Sequence, residues 1–400
     1  MFRKIKNLIH LFEAQIAVAS FRNPGAKLKI IGVTGTDGKT TTVHMIGHIL
    51  KSAGYRVAIL SSIGASIDGD FVETGFHTTT PSSRYIQKFL SDCASKRVEY
   101  VVLEVTSHAL DQHRVAGINF EVAVLTNITH EHLDYHKNIK NYIRSKAKLF
   151  KNAKTSILNY DDASYNHIKR FIPGRIFTYS LFQATDFNMR KVKLSIPLEG
   201  RFNLSNALAA MAVSELVGVP ENVILRALSK FNGIPGRLER IDHGQRFKVY
   251  VDFAHTPNGI SSSLTALKKK TKGRVIAVFG AAGKRDISKR PLMGQAASSV
   301  ADVVILTAED PRGEDVASIM SQIASGSKKA GGKLGKNLFK IANRSEAIEY
   351  AIGTLAKSGD TVVLLGKGHE KSINMDGKRE LPWSDQKEAS RAILRKIRYA

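Results

Sequence analysis

Gly35-Thr36-Asp37-Gly38-Lys39-Thr40 stands between an apolar run at 28–33 and a stretch of helical periodicity at 41–53. The run reads as a buried strand. The periodic stretch carries Val43, Ile46, Ile49 and Leu50 on one side, with Gly54 placed to cap its end. Further apolar runs at 57–60, 100–105 and 122–125 continue the alternation of strand-like and helix-like segments. Such alternation predicts an α/β fold with a parallel sheet covered by helices. Past a hinge-like Gly233-Ile234-Pro235-Gly236, a second alternation begins, with strands expected at 249–253, 275–279, 303–306 and 361–365. Four hundred residues exceed one ordinary core. The expected division is 1–27, 28–235 and 236–400, the last a smaller Rossmann-like domain. The Gly/Lys/Ser-rich segment 326–336 reads as a mobile surface loop.

Residues 1–20 form a basic amphipathic segment. Phe2, Ile5, Leu8, Ile9, Phe12 and Ile16 recur at helical spacing, and Asn23-Pro24-Gly25 ends it. The expectation is a helix that packs its apolar stripe on its own domain. Peripheral contact with a membrane is the other use of such a helix. No apolar run is long enough to span a bilayer, and polar residues interrupt the N-terminus too often for a signal peptide. A single cysteine, Cys93, excludes an internal disulfide and a four-thiolate zinc site. The cytoplasm is the expected compartment. The formal charge of +25 suits polyanionic ligands. No zinc-finger spacing or aromatic RNP-like pattern supports nucleic-acid binding, and runs such as Lys268-Lys269-Lys270 read as solvated surface.

The chemistry of the loop at 35–40 follows from its residue types. Glycines let backbone N–H groups approach phosphate oxygens, and the following helix adds partial positive charge. Lys39 can neutralise the β- and γ-phosphates of ATP, and the Thr40 hydroxyl can ligate Mg²⁺. The spacing is not a strict Walker motif, because Val33 lies where its first glycine would be. Polar residues cluster at the ends of the expected strands: Glu104 to His108, then Thr126 to Asp134. In the second half they are Asp252 and His255, the 280–286 segment, Glu309 to Arg312, and Gly366 to Glu370. Ligands in open α/β sheets bind beyond such carboxyl ends. Any one of these residues could merely cap a helix; their joint occurrence favours a site. Arg312 can grip a carboxylate through two parallel hydrogen bonds.

Taken together, these stretches resemble the Mur ligases, the ATP-dependent amino-acid ligases of peptidoglycan synthesis, and among them the MurE type. The matching motifs are GTDGKTTT (35–42), TTTP (78–81), EVTSHALDQHR (104–114), TNITHEHLDYH (126–136) and YIRSKAKLF (142–150). They continue with NYDD (159–162), GRFNLSNA (200–207), GRLE (236–239), VDFAHTP (251–257), FGAAGKRDISKRPLMG (279–294), EDPR (309–312) and GKGHE (366–370). The resemblance implies that 28–235 is the central ATP-binding domain and 236–400 the amino-acid-binding domain. It implies phosphorylation of the terminal carboxylate of UDP-MurNAc-L-Ala-D-Glu by ATP. The amine of meso-diaminopimelate or a lysine-like diamino acid would then attack the acyl phosphate.

Residue by residue, the resemblance assigns Gly35, Thr36, Asp37, Gly38, Lys39, Thr40, Thr41, Asn127, Arg237, Asp252 and His255 to ATP. It assigns Thr40 and Glu104 to one of two Mg²⁺ ions. His132 and Lys146, the latter carried as a carbamate, match the second. Thr79, Thr80, Ser107, Gln112 and Arg114 match the muramoyl-peptide site. Arg290, Asp310, Arg312, Gly366 and Glu370 match the pocket for the incoming amino acid. Diaminopimelate enzymes usually read Asp-Asn-Pro-Arg where this chain has Glu309-Asp310-Pro311-Arg312. Arg312 favours a distal carboxylate, whereas Asp310 adds a negative charge that would suit a lysine-like substrate. Family members also begin with a uridine-binding domain, and only residues 1–27 precede the first strand here. The uridine is therefore expected either to bind the remaining domains or to be replaced by another head group. Folylpolyglutamate- and cyanophycin-type ligases are the nearest rivals, and TTTP, EVTSHALDQHR and GKGHE count against them. A MurT-type amidating subunit would need four zinc-binding cysteines. A catalytically dead basic binding protein would not be expected to keep Lys39, Thr40, Glu104, His132 and Lys146 together.

Overall fold

The structure, a computed structural model, describes residues 2–72, 79–190 and 192–398. Thr78, the first residue of the TTTP stretch, and the side chain of Phe2 lie outside the described residues. The chain packs as two units. The first comprises Met1–Thr129, His136–Leu198 and Phe202–Asn232; the second comprises His130–Tyr135, Glu199–Arg201 and Gly233–Ala400. Two short segments ahead of residue 235 thus pack with the second unit, a pattern that hydropathy along the chain does not encode.

The strands of the first unit are β1 (Lys29–Thr34), β2 (Val57–Ser61), β3 (Gly64–Ile67), β4 (Asp70–Val72), β5 (Tyr100–Glu104), β6 (Phe120–Leu125), β7 (Ala153–Asn159), β8 (Arg175–Ser180) and β9 (Phe187–Asn188). They form one sheet in the order β4-β3-β2-β5-β1-β6-β7-β8-β9, parallel except for β3 and β4. The helices from Phe2 to Ser229 are α1 (Phe2–Ser20), α2 (Lys39–Ser52), α3 (Ser83–Ser95), α4 (Ser107–Asp111), α5 (Leu133–His136), α6 (Ile139–Ala147), α7 (Tyr165–Ile168), α8 (Arg201–Leu216) and α9 (Glu221–Ser229). Every residue of β1 except Lys29 is buried, as expected of a parallel strand covered on both faces. β1 lies between β5 and β6, with Val33 opposite Glu104 and Thr34 opposite Leu125. Gly32 is needed there, because a Cβ would come within 2.8 Å of the Phe120 ring. Cys93 on α3 is buried in the same core, and burial pushes its thiol up to about 12.

The second unit holds β10 (Glu239–Ile241), β11 (Lys248–Asp252), β12 (Val275–Phe279), β13 (Val303–Leu306), β14 (Leu338–Lys340) and β15 (Thr361–Leu365), in the order β10-β11-β15-β12-β13-β14. Its helices include α10 (Pro257–Lys268), α11 (Lys289–Ser298), α12 (Val316–Lys329), α13 (Arg344–Glu349) and α14 (Asp385–Arg398). Ile260, Phe279, Met293, Ile323 and Leu365 belong to one core cluster, and Val249, Ile276, Ile305, Ile348 and Ile393 to another.

Two expectations change. The stripe of α1 is not packed inward: Ile5, Leu8, Ile9, Phe12 and Ile16 are exposed, and the helix seats through Ala14 and Ala17 instead. Small side chains let the helix approach its neighbours closely, and the large ones are turned away. The segment 326–336 is not wholly a loop, because α12 runs through Gly326 to Lys329. A Cβ on Gly326 would lie 1.7 Å from the Pro291 carbonyl oxygen, and one on Gly294 would lie 2.0 Å from that of Ile323. These glycines bring α11 and α12 into contact; they do not loosen the chain.

Arg344 fastens the strand ends of the second unit. It donates to both carboxylate oxygens of Asp385, at 2.8 and 2.5 Å, and to the carbonyls of Ala308 at 3.2 Å and Leu365 at 3.0 Å. Both charged groups are buried. Arg344→Met would strand the Asp385 charge and should cost this unit about 3–5 kcal/mol. The check is a lowered urea midpoint in the fluorescence of Trp383, the chain's only tryptophan, whose indole N–H donates to Asp385.

Candidate active site

In the first unit the loop between β1 and α2 is held rigid from below. Thr36 N–H donates to the Asn127 carbonyl at 2.9 Å, and Asp37 N–H donates to the Asn127 side-chain oxygen at 2.9 Å. The Asn127 amide and the Thr126 hydroxyl donate in turn to the Asp37 carbonyl, at 3.0 and 2.7 Å. Asn127 therefore braces the loop. The Thr36 hydroxyl meets the Tyr142 hydroxyl at 3.1 Å and accepts from Thr129 N–H at 3.0 Å. Gly38 is left-handed, at φ 82°, and a Cβ there would lie 2.4 Å from the Asn206 side-chain oxygen. Asn206 on α8 can close on the loop only because that position is glycine.

Lys39 donates to the Thr36 carbonyl at 2.8 Å and stands 4.0 Å from Glu104. Thr40 donates to Glu104 at 2.9 Å, and Ser62 contributes its backbone N–H to the same carboxylate oxygen and its hydroxyl to Thr40, both at 2.9 Å. Glu104 is buried, so its carboxylate is oriented by these donors. The register of β1 against β5 is what brings it to the loop. Thr40, Glu104 and Ser62 form an oxygen-only donor set, which fits a hard cation such as Mg²⁺. Among the described residues, no three His, Cys, Asp or Glu side chains are grouped to hold a metal by themselves. Thr41, also assigned to ATP, is buried in the first turn of α2.

Lys146 on α6 is buried, donates to the Gly35 carbonyl at 2.6 Å and lies 4.5 Å above the Tyr142 ring. A residue more than a hundred positions away in sequence is thus drawn to the same loop. The expected muramoyl-site residues form a neighbouring group. Thr80 donates to the Glu104 carbonyl at 2.9 Å, and Arg114 donates to the Thr80 carbonyl at 2.6 Å. Arg114 also forks onto the Gln112 side-chain oxygen, at 3.0 and 2.6 Å. The Ser107 hydroxyl meets His136 at 3.0 Å, and Thr79 is half-buried beside Thr80.

The second unit gathers the other assigned residues into two groups. The first is Arg237, Asp252 and His255. Arg237 stacks 4.5 Å over Phe253, His255 hydrogen-bonds the Phe253 carbonyl at 2.8 Å, and Asp252 accepts from Ser263 at 2.8 Å. Burial pushes the Asp252 carboxyl up, against the pull of Arg237. His132 also packs in this unit, at a left-handed φ of 56° and 3.6 Å from Glu131.

The second group centres on Lys367, which is fully buried. It contacts Asp310 at 2.8 Å and Glu370 at 2.6 Å. Asp310 also accepts from Asn374 N–H at 3.0 Å and stands 3.4 Å from Arg312. Burial would raise its carboxyl, but Lys367 and these hydrogen bonds hold it below the ordinary range. Gly366 is left-handed at φ 104° and packs on Glu309, whose carboxyl is raised by burial and by Asp310. Arg290, also assigned to the amino-acid pocket, is held by a network of its own. It is fully buried, with its guanidinium forked onto Glu314 at 2.5 and 2.9 Å and bonded to Gln322 at 2.9 Å and to the Ala282 carbonyl at 3.2 Å. It braces the 280–286 segment through partners that sequence spacing could not supply.

Several site residues escaped the sequence reading. Asn206, Lys367 and Tyr142 lie inside quoted motifs, so a signal was present; Ser62 carries none beyond its residue type.

A phosphate loop at a strand–helix junction, an acidic residue on the adjacent strand and a following α/β unit define a nucleotide-dependent enzyme of two domains. Residues 33–214 match the Mur ligase middle domain, and residues 236–368 match the Mur ligase glutamate ligase domain. The chain is 37% identical over 385 residues to UDP-N-acetylmuramoyl-L-alanyl-D-glutamate–2,6-diaminopimelate ligase 1 of Clostridium acetobutylicum, covering 90% of this chain and 78% of that protein. It is 38% identical over 415 residues to UDP-N-acetylmuramyl-tripeptide synthetase of Roseiflexus, covering 95% and 81%. A solved UDP-N-acetylmuramoyl-L-alanyl-D-glutamate–2,6-diaminopimelate ligase superposes with a TM-score of 0.62 at 33% identity, over 92% of this chain and 79% of that one. Folylpolyglutamate synthase of Mycobacterium tuberculosis shares the fold, with a TM-score of 0.71 at 18% identity over 89% of this chain and 92% of that one. The chain belongs to the Mur ligase family.

Burial in the Lys367 group raises the Glu370 carboxyl from 4.5 to about 7, partly opposed by Lys367. Unfolded, the carboxyl loses its proton near 4.5, so between there and about 7 the folded chain binds more protons and is destabilised as pH rises. Glu370→Gln should flatten the decline in Tm across that window, as measured by thermal unfolding at a series of pH values.

Proposed function

We propose that the chain is an ATP-dependent acid–amino-acid ligase that joins a diamino acid to the D-glutamate carboxylate of UDP-MurNAc-L-Ala-D-Glu. The supporting observation is the meeting of Lys39, Thr40 and Glu104 at a braced phosphate loop, at 2.9 Å for Thr40 and Glu104, in a chain of this family. The reaction must bring a carboxylate up to a γ-phosphate, so repulsion between anions dominates its barrier. Lys39 supplies a cation at the phosphates. Thr40 and Glu104 would hold Mg²⁺, which supplies further neutralisation of the transferring phosphoryl group. Thr80, Ser107, Gln112 and Arg114 orient the donor peptide. The acyl phosphate then loses phosphate when the incoming amine attacks and yields its proton, leaving an amide.

Lys146 is assigned a carbamate in this reading. Carbamylation replaces the ammonium by an anion yet keeps an N–H on Nζ, so the bond to the Gly35 carbonyl can persist. The assignments of a second ion, with His132 as ligand, and of Arg237, Asp252 and His255 to ATP rest on the family pattern. For the incoming amino acid, the environment of Asp310 favours diaminopimelate. Its Oδ1 is engaged by Lys367 and Asn374 and its Oδ2 lies 3.4 Å from Arg312, so its charge is shared between two cations and does not stand free beside a distal carboxylate.

The test is phosphate release from ATP and Mg²⁺ with UDP-MurNAc-L-Ala-D-Glu and either diaminopimelate, lysine or ornithine. Turnover should be fastest with diaminopimelate, and Lys39→Ala should lower kcat by at least about 100-fold. Absence of turnover with every amino acid would remove the muramoyl donor from the reading. An intact-mass increase of one CO₂, lost in Lys146→Ala, checks the carbamate.

A further inference from the structure

Helix α1 is clamped to the first unit by one face. Ala14 and Ala17 are buried, and Asn7 donates to Asp111 at 3.0 Å. Val18 fills the space above Gly117, where a Cβ would lie 2.7 Å from it. The other face is bare: Ile5, Leu8, Ile9, Phe12 and Ile16 are each between 50% and 64% exposed. At 3.6 residues per turn, these five fall within an arc of about 100°, and Ala14 lies directly across the helix from Ile5. Single exposed leucines are ordinary; a continuous stripe on a docked helix marks an interaction surface.

The charges around the stripe identify its occupant. The first six residues include Arg3, Lys4 and Lys6, and the helix has one acidic residue, Glu13, which lies 3.2 Å from His10. Along the helix, Lys6 falls at one edge of the stripe, about 100° from Ile5. The whole chain carries +25. A second copy laid on the stripe would oppose that charge with an equal one. An anionic lipid surface would attract it.

We propose that α1 docks the chain on an anionic phospholipid surface, with Ile5, Leu8, Ile9, Phe12 and Ile16 entering the boundary between headgroups and acyl chains. Lys6, at the edge of the stripe, meets lipid phosphates. No helix among the described residues is long and apolar enough to cross a membrane, so this attachment is peripheral. It does not depend on which reaction the chain catalyses.

The experiment is co-sedimentation of the full chain with vesicles of phosphatidylcholine alone or mixed with phosphatidylglycerol, at low and high salt. Binding should require phosphatidylglycerol and fall at least about tenfold at high salt. The double variant Leu8→Ser/Phe12→Ser should reduce partitioning at least about tenfold. Both positions face solvent, so its circular dichroism should match the parent. Equal binding to both vesicle types, or unchanged binding by the variant, overturns the proposal. A dimer in sedimentation equilibrium that the variant dissociates, without vesicle binding, also overturns it and gives the stripe to a second copy.

Discussion

The parallel ladders on either side of β1 are the constraint on which the phosphate-loop site depends. Pairing of Val33 with Glu104 and of Thr34 with Leu125 fixes where three chain segments end. The loop continues from β1, the acidic residue terminates β5, and Thr126 and Asn127 follow β6. A slip of one residue would turn Glu104 to the opposite face of the sheet. The site therefore inherits its precision from hydrogen bonds among backbone groups buried on both faces of the sheet. Side chains then lock the loop: Thr126 and Asn127 from just beyond β6, and Tyr142 and Lys146 from α6.

The second unit solves a different problem, that of keeping charges inside a small volume. Lys367 is flanked by Asp310 and Glu370, and Arg344 by Asp385. Each buried cation has a carboxylate partner, as the cost of an isolated buried charge requires. This changes the meaning of an aspartate in the EDPR stretch. Read alone, Asp310 is an added negative charge; in its surroundings it is the counter-ion of a lysine.

Legibility in the sequence followed burial. Strands β1, β2, β5, β12, β13 and β15 are buried on both faces, so their apolar runs were continuous and were found. β7 to β9 and β14 were not, because Ala153–Asn159 offers only Ile157 and Leu158 as a run and the others are short or mixed. Periodicity found α1 but not which side of it is covered, since alanines can pack a helix as closely as large residues. Composition likewise misjudged Gly326, whose role depends on a carbonyl in another helix. At the site, residues acting through spacing within a motif were visible. Those acting through partners distant in sequence, such as Ser62 on Glu104 or Glu314 on Arg290, were not.

The buried position of Cys93 has a practical consequence. The chain has no other cysteine, and this one sits in the core beneath the nine-stranded sheet's helices with its thiol kept protonated. A thiol reagent can reach it only when that core opens. The rate of labelling therefore clocks the opening of the first unit, while the lone tryptophan reports on the second. One unmodified chain thus carries a separate reporter for each of its two units.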